Sequence, residues 1–441
     1  MYDIAFKNAQ LVTPNGIVKG DIAVQDRKII EIALEDEEFS AEARQVIDCT
    51  GMHILPGVID TQVHFREPGN THKEDLASGT RAAIAGGVTS IFEMPNTDPL
   101  TTTAKALQDK VDRASGRAWC NFAFFVGGTG ENAEQLPDLE RQPGCCGVKV
   151  FMGSSTGNLL TEDDATLERI LSHGSRRVAV HAEDEMRLKE RAPLVADSGD
   201  VHLHPYWRDM ETALNATKRL LRLAKKTGRP IHVLHITTAD EMALLKDNKD
   251  IATVEVTPQH LTLHAPNCYD NIGTLAQMNP PIRNKEHQDG LWEGLQNGTA
   301  DLIGSDHAPH TLEEKEQTYP KSPSGMPGVQ TLVPLMLNHI NNGKLTLERF
   351  ADMVCHNPQR IYNIDKKGRL EEGYDADLTI VDMNAKRTIT NEWGQSKCGW
   401  TPFDGMDVQG WPMMTVIAGQ IVMKDDEIIG EPSGQPVSFD I

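Results

Sequence analysis

His53-Ile54-Leu55-Pro56-Gly57-Val58-Ile59 is an apolar run of strand length, and it ends in Asp60-Thr61-Gln62-Val63-His64-Phe65-Arg66, a tail rich in ligand-capable side chains. The same form recurs along the middle of the chain. Further candidate strands stand at Val88–Met94, Trp119–Val126, Gly147–Met152, Arg177–His181, Pro230–His235, Ala252–Pro258 and Ala300–Asp306. Amphipathic stretches separate most of them, among them Lys73–Ala85, Thr103–Ala114, Asp164–Leu171 and Glu211–Lys226. Eight β-then-α units predict an α/β fold, a closed parallel (β/α)8 barrel of the TIM type. A doubly wound open sheet competes, but no Gly-x-Gly-x-x-Gly follows any strand, so nucleotide binding has no support.

Outward from the barrel, both ends of the chain read as short strands. Tyr2–Lys7, Leu11–Val12, Gly20–Val24 and Lys28–Ile32 precede it, with Pro14-Asn15-Gly16 as a turn; Leu378–Val381, Met414–Ile417 and Gln420–Met423 follow it. The two termini are expected to pair into one small β-sandwich domain, residues 1–53 and 362–441, beside a catalytic barrel at 54–361. No apolar run approaches the roughly 20 residues of a membrane helix, and Met1-Tyr2-Asp3-Ile4 carries no signal pattern. The expectation is a soluble cytoplasmic chain without a membrane partner.

The 441 residues hold 64 Asp plus Glu against 43 Lys plus Arg, a net charge of -21. No basic stripe is visible, which argues against a nucleic-acid partner. An anionic ligand would have to be met by a few placed cations rather than by the overall field. The 7 cysteines form no C-x-x-C pair, so neither a disulfide framework nor a thiolate zinc site is indicated. The 16 histidines remain as the metal-binding currency.

The strand termini concentrate that currency. Beyond His64, a strand carries Lys149, others end at His181 and His235, and the last ends at Asp306-His307. One histidine ending a strand is more often a satisfied core residue than a ligand. Several together, on strands whose C-terminal ends would share one mouth, indicate a metal site. Lys149 lies between two valines in Gly147-Val148-Lys149-Val150-Phe151-Met152, where an unpaired ammonium is costly. It could be a Schiff-base lysine, a charge-pair lysine, or a lysine carbamylated by carbon dioxide. The neighbouring histidines favour the third, because a carbamate is a carboxylate that can bridge two metals.

At Pro56-Gly57-Val58-Ile59-Asp60-Thr61-Gln62-Val63-His64-Phe65-Arg66-Glu67-Pro68-Gly69 the sequence resembles the dihydroorotases of the amidohydrolase superfamily. The resemblance continues through Glu93-Met94-Pro95-Asn96-Thr97, Val180-His181-Ala182-Glu183-Asp184, Asn279-Pro280-Pro281-Ile282-Arg283 and Asp306-His307-Ala308-Pro309-His310, and ends in Glu372-Gly373-Tyr374-Asp375-Ala376-Asp377-Leu378. It implies a zinc-dependent hydrolase of cyclic amides that interconverts dihydroorotate and N-carbamoyl-L-aspartate in pyrimidine (UMP) biosynthesis. It also implies a small-molecule substrate and a homo-oligomer, a homodimer being the first expectation. Carried over residue by residue, it makes His64, carbamylated Lys149, His181, His235 and Asp306 the metal ligands. Arg66, Asn96 and His310 become the groups that hold a substrate carboxylate, and Asn279 a further substrate contact. Ser324 and Gly325 fall on the family's substrate-contacting segment, the loosest of these alignments.

Chemistry supports the set. Asp306 can take a proton from the attacking water and pass it to the leaving nitrogen, acting as base and then acid. Arg66, two residues past His64, lies on the same face if the segment is extended. A surface ion pair of Arg66 with Glu67 is the plainer reading. One departure stands out: the family's first motif reads His-x-His, and here it is Gln62-Val63-His64. A neutral amide is a poor zinc ligand beside imidazole. The outcome is a weakened first metal, so that one zinc binds tightly and a second weakly, or a mononuclear site on Lys149, His181 and His235, or an impaired relative kept as a scaffold, for instance for aspartate transcarbamoylase. The remaining groups are intact, which favours activity. A hydantoinase, dihydropyrimidinase or allantoinase is the enzymatic alternative, and the three carboxylate-binding groups weigh against it. His260 reads as structural rather than as a ligand, His307 as packing, and His202 and His204 carry no argument.

Overall fold

The computed structural model describes residues 1–35, 37, 39, 42–155 and 159–441. Eight parallel strands follow one another in a single sheet: β1 (Val58–Val63), β2 (Val88–Glu93), β3 (Asn121–Gly127), β4 (Cys145–Phe151), β5 (Val178–His181), β6 (Ile231–Val233), β7 (Ala252–Val256) and β8 (Leu302–Ile303). The last strand returns to the first through a parallel bridge between Val63 and His307 and a His64 N–H to His307 carbonyl bond of 2.7 Å. The Ser305 amide also donates to Asp60 Oδ1 at 3.0 Å. The expected (β/α)8 barrel is therefore the fold.

Strand alternation explains which side chains reach the interior. On β3, Phe122, Phe124 and Val126 face the helices, while Ala123 and Phe125 join the inner core. On β5, Val178 and Val180 face out and Ala179 in. Val148 and Val150 likewise face out, which turns Lys149 inward, fully buried.

Four expected helices are present as Leu76–Ala85, Ala104–Ala114, Asp164–Leu171 and Met210–Thr227, capped at their N-termini by Asp75, Thr103, Asp163 and Asp209. Among the described residues, no helix is long and apolar enough to cross a membrane.

The expected first strand, His53–Ile59, divides. His53–Pro56 pairs with Tyr2–Thr13 and Leu378–Ile389 in the terminal sheet, and only from Val58 does the chain enter the barrel. Gly57 makes the crossing possible: a Cβ there would lie 2.2 Å from Thr89 Oγ1 and 2.9 Å from Asp377 Cβ. Among the described residues the terminal sheet has nine strands, drawn from both ends of the chain as expected. Phe6, Leu11, Ile22 and Ile54 pack there against Leu378, Ile380, Met414 and Val416.

Candidate active site

A cavity of about 340 Å³ opens at the C-terminal ends of the barrel strands. Ten of the twelve residues expected at the site line it: Gln62, His64, Arg66, Asn96, His181, His235, Asn279, Asp306, Ser324 and Gly325. Lys149 and His310 are buried beside this wall. Phe151, Ser155 and Ala308, none of them expected at the site, complete it. Three of the site residues hold left-handed backbone, Arg66 at φ 62°, His235 at 36° and Asp306 at 44°. Non-glycine residues rarely adopt it, and strain of this kind collects where function fixes side-chain aim.

One cluster forms where β5 and β6 end. His181 Nε2 faces Glu183 Oε2 at 2.8 Å, and a carboxylate only accepts, so the ring proton sits on Nε2. That leaves a lone pair on His181 Nδ1, 3.0 Å from His235 Nε2. Two ligands of a tetrahedral zinc would stand about 3.3 Å apart. Burial would raise the Glu183 carboxyl, but the Arg208 guanidinium and His181 hold it well below its ordinary range. Burial pushes His181 and His235 down, so both imidazoles are neutral, as metal ligands must be.

Among the described residues Lys149 Nζ has no hydrogen-bond partner, and it lies 4.3 Å over the Phe151 ring. Burial pushes its amine down to about 7, against the opposing fields of Asp306 and Glu255. Much of it is thus unprotonated near neutrality and able to add carbon dioxide. Among the described residues, His, Cys, Asp and Glu do not by themselves bring three donors to one point. Lys149, whose charge bears on both imidazoles, could supply a third donor beside His181 and His235 as a carbamate.

The second cluster lies on the β1 side. His64 Nδ1 meets Asn96 Oδ1 at 2.8 Å, which sends its Nε2 lone pair toward Asp306 Oδ1, 3.2 Å away. Two acceptors facing each other suit a shared cation. However, Gln62 Nε2 donates to the same Asp306 Oδ1 at 3.0 Å, and Gln62 Oε1 is buried without a partner among the described residues. The amide that replaces the family histidine thus addresses Asp306. This cluster fits a metal less well than the first.

The cationic wall differs from its expected form. Arg66 does not sit on an extended segment, since its φ is 62°; it reaches the cavity through that turn, with Nε bonded to the Pro309 carbonyl at 3.1 Å. Nor does it pair with Glu67, which is taken by Arg117 at 2.9 Å and Arg113 at 3.8 Å. Burial pushes Arg66 down to about 10, leaving it charged at neutral pH. Lys73, another residue the sequence gave no reason to choose, stands 3.1 Å from His310 Nδ1. His310 Nε2 lies 3.1 Å from Ser324 O and 3.4 Å from Arg66 Nη2.

Two further residues act from behind. His204, set aside in the sequence, is fully buried and contacts Asn279 Oδ1 at 3.1 Å and Tyr319 Oη at 3.2 Å. Lys315 is also fully buried, and its Nζ donates to the carbonyls of Gln277, Pro323 and Gly325 at 2.9, 2.8 and 2.9 Å. It clamps the segment that carries Ser324 and Gly325. Gly325 passes so near that a Cβ would lie 2.4 Å from Ala308 O. His260 is structural, with Thr257 Oγ1 at 2.8 Å and Pro280 O at 3.0 Å on its two nitrogens. His307 packs edge-on to Phe65 and accepts from the Gly328 amide at 3.0 Å.

A strand-end site of histidines, a buried lysine and an aspartate on such a barrel defines a class. The amidohydrolase family profile matches residues 53–422, and the chain belongs to that family. Curated relatives narrow the class. The chain is 34% identical over 447 aligned residues to a dihydroorotase of Methanosarcina mazei, covering 98% of this chain and 96% of that one. It is 36% identical over 427 to a dihydroorotase of Pyrococcus horikoshii, covering 96% and 92%. Among solved structures, an L-hydantoinase (dihydropyrimidinase) from Arthrobacter aurescens superposes with a TM-score of 0.94 at 30% identity, covering 99% of this chain and 100% of that one. A dihydropyrimidinase from Brevibacillus agri gives 0.91 at 27%, covering 99% and 98%. The protein is a hydrolase acting on cyclic amides.

Proposed function

We propose that the chain interconverts dihydroorotate and N-carbamoyl-L-aspartate, a step of pyrimidine synthesis. The observation that carries this reading is Arg66: a buried guanidinium on the cavity wall that pairs with no carboxylate among the described residues, in a chain of net charge -21. A ring carboxylate would supply its missing partner through a charge-assisted bond. Asn96 and the Lys73-backed His310 stand near the same wall. The archaeal relatives named dihydroorotase support the same substrate.

Lys149 as its carbamate, His181 and His235 would hold a zinc ion, with His64 and Asp306 offering a weaker second place. Zinc would supply Lewis acidity, polarising the ring amide carbonyl and making water nucleophilic near neutral pH. Asp306 accepts the proton of the attacking water and delivers it to the ring nitrogen as the amide C–N bond breaks. Gln62 and His64 both contact Oδ1 of Asp306 and so fix which oxygen is left to carry that proton. Arg66 and Asn96 orient the ring by its carboxylate, and His204 holds the Asn279 side chain.

The close superposition on hydantoinases favours a second reading, hydrolysis of a cyclic amide without a ring carboxylate. Arg66→Ala separates the two. It should raise KM for dihydroorotate by about 10- to 100-fold, the worth of a charged hydrogen bond, and barely change KM for dihydrouracil. An equal effect on both substrates would overturn the substrate assignment. Dihydroorotase activity of the purified chain that Asp306→Asn abolishes would reject a scaffold-only role.

A further inference from the structure

At the opposite end of the barrel from the catalytic mouth lies a second polar cavity of about 630 Å³. Arg176 and Arg177, just before β5, line it together with Ser175, and Arg360, Tyr362 and Asn363 close it from the helix Asn357–Tyr362 and its end. Three guanidiniums thus share one cavity of a strongly acidic protein. None of them pairs with a carboxylate among the described residues; their bonds go elsewhere. Arg176 donates through Nη1 to the carbonyls of Glu140 and Cys145 at 2.8 and 2.6 Å, Arg177 through Nη1 to Ile231 O at 2.7 Å, and Arg360 through Nη2 to Asn357 Oδ1 at 3.1 Å.

The neighbouring carboxylates are already engaged. Glu140 is held by Arg229 at 2.6 Å and by the Ser175 and Arg176 amides at 2.6 and 3.2 Å. Asp301 is held by Lys249 and by the Val254 amide. What remains is a set of buried donors with no partner among the described residues: Arg176 Nη2, Arg177 Nε and Tyr362 Oη. Arg176 is only 9% exposed and Tyr362 3%. Orphaned buried donors are rare in folded proteins, and each asks for a partner. The Arg176 guanidinium is further fixed 4.6 Å over the Phe439 ring, so little side-chain freedom is left to lose on binding.

We propose that this cavity binds a phosphorylated small molecule by its phosphate. Three delocalised cations with a phenol offer more donors and charge than one carboxylate can use. A phosphate brings close to two negative charges and several acceptor oxygens. The volume exceeds that of the phosphate group, and the exposed Arg360 stands at its outer edge. An ester would place its phosphate among Arg176, Arg177 and Arg360 and its organic part toward the cavity's outer edge.

Calorimetric titration of the full-length protein tests this, with inorganic phosphate and a ribonucleoside monophosphate as separate probes. One saturable site per chain is expected, weakened about tenfold or more in Arg360→Gln and Arg177→Gln and unchanged in Arg66→Gln. Arg360 is exposed, so its variant should fold normally. Equal affinity for the two probes means that the cavity reads phosphate alone, and tighter nucleotide binding means that the organic part is also seated; either supports the site. No saturable binding of either probe, or binding that Arg66→Gln removes and Arg360→Gln leaves, overturns it.

Discussion

Gln62 occupies a position where the family uses a metal-binding histidine, and its amide instead donates to Asp306. Zinc at the His64–Asp306 place would have to displace that bond and do without one imidazole, whereas among the described residues no side-chain amide donates to His181, His235 or Lys149. Zinc titration of the apoprotein should therefore show one tightly held ion and a second that dialyses away, and Gln62→His should tighten the second. Two equally tight ions in the unmutated chain, or no change in Gln62→His, would sink this reading. Asp60 gives a second prediction at this scale. Burial pushes its carboxyl up to about 7, while Oδ1 accepts the Gln62 and Ser305 backbone amides at 3.1 and 3.0 Å and Oδ2 has no partner among the described residues. Between about pH 4 and pH 7 the unfolded chain has released a proton that the folded chain retains, so this group costs stability as pH rises through that window. Asp60→Asn keeps the Oδ1 acceptor and removes the cost. Urea unfolding at about pH 4.5 and 7.5 should show the variant gaining on the parent by on the order of 3 kcal/mol at the higher pH; parallel pH profiles would reject it. Side chains that break their local pattern, such as Lys149 between valines, were legible in the sequence. Lys315 was not: in Leu312-Glu313-Glu314-Lys315-Glu316 it reads as one more solvated charge, and only distant carbonyls bury it.

Elements follow the same division. Strand-then-polar-end patterning located all eight barrel strands, since period-two alternation and a polar terminus are local properties. It misjudged the first strand because two consecutive apolar segments serve two sheets, and the break at Gly57 depends on Thr89 and Asp377, far away in sequence. The loop that presents Ser324 and Gly325 is likewise a tertiary product, positioned by the three Lys315 bonds. Lys315→Met keeps the apolar stem but leaves three carbonyls without their donor, at a cost of about 2–4 kcal/mol. The segment should loosen, so KM for the proposed substrate should rise roughly tenfold while kcat falls less. An unchanged KM, with the stability loss confirmed by thermal unfolding, would show that the clamp supports the fold alone.

For the whole molecule, the barrel and the terminal sheet are joined by a chain that leaves the sheet, makes the barrel and comes back. His53–Pro56 lies between Tyr2–Thr13 and Leu378–Ile389, so the first and last parts of the chain are hydrogen-bonded neighbours through one short strand. Of the fourteen buried residues in the sheet's own core, eight come from the first fifty: Ile4, Phe6, Ala9, Leu11, Ile22, Val24, Ile29 and Cys49. The larger of these contribute about 1.5–3 kcal/mol each when fully buried, a sum comparable to the roughly 5–15 kcal/mol by which a domain is stable. Deleting residues 1–50 would expose Ile54, Leu378, Ile380, Met414 and Val416 and leave the His53–Pro56 edge unpaired, a surface that invites edge-to-edge association. The truncated chain should aggregate or lose its cooperative unfolding transition. A further loss follows inside the barrel: Asp377 holds Asn121 at 2.8 Å and the Gly57 amide at 2.7 Å, so a disordered sheet would loosen the starts of β1 and β3. Size-exclusion chromatography and thermal unfolding check this. A monodisperse chain lacking residues 1–50, with parental unfolding and zinc uptake, would show that the barrel stands without its terminal sheet.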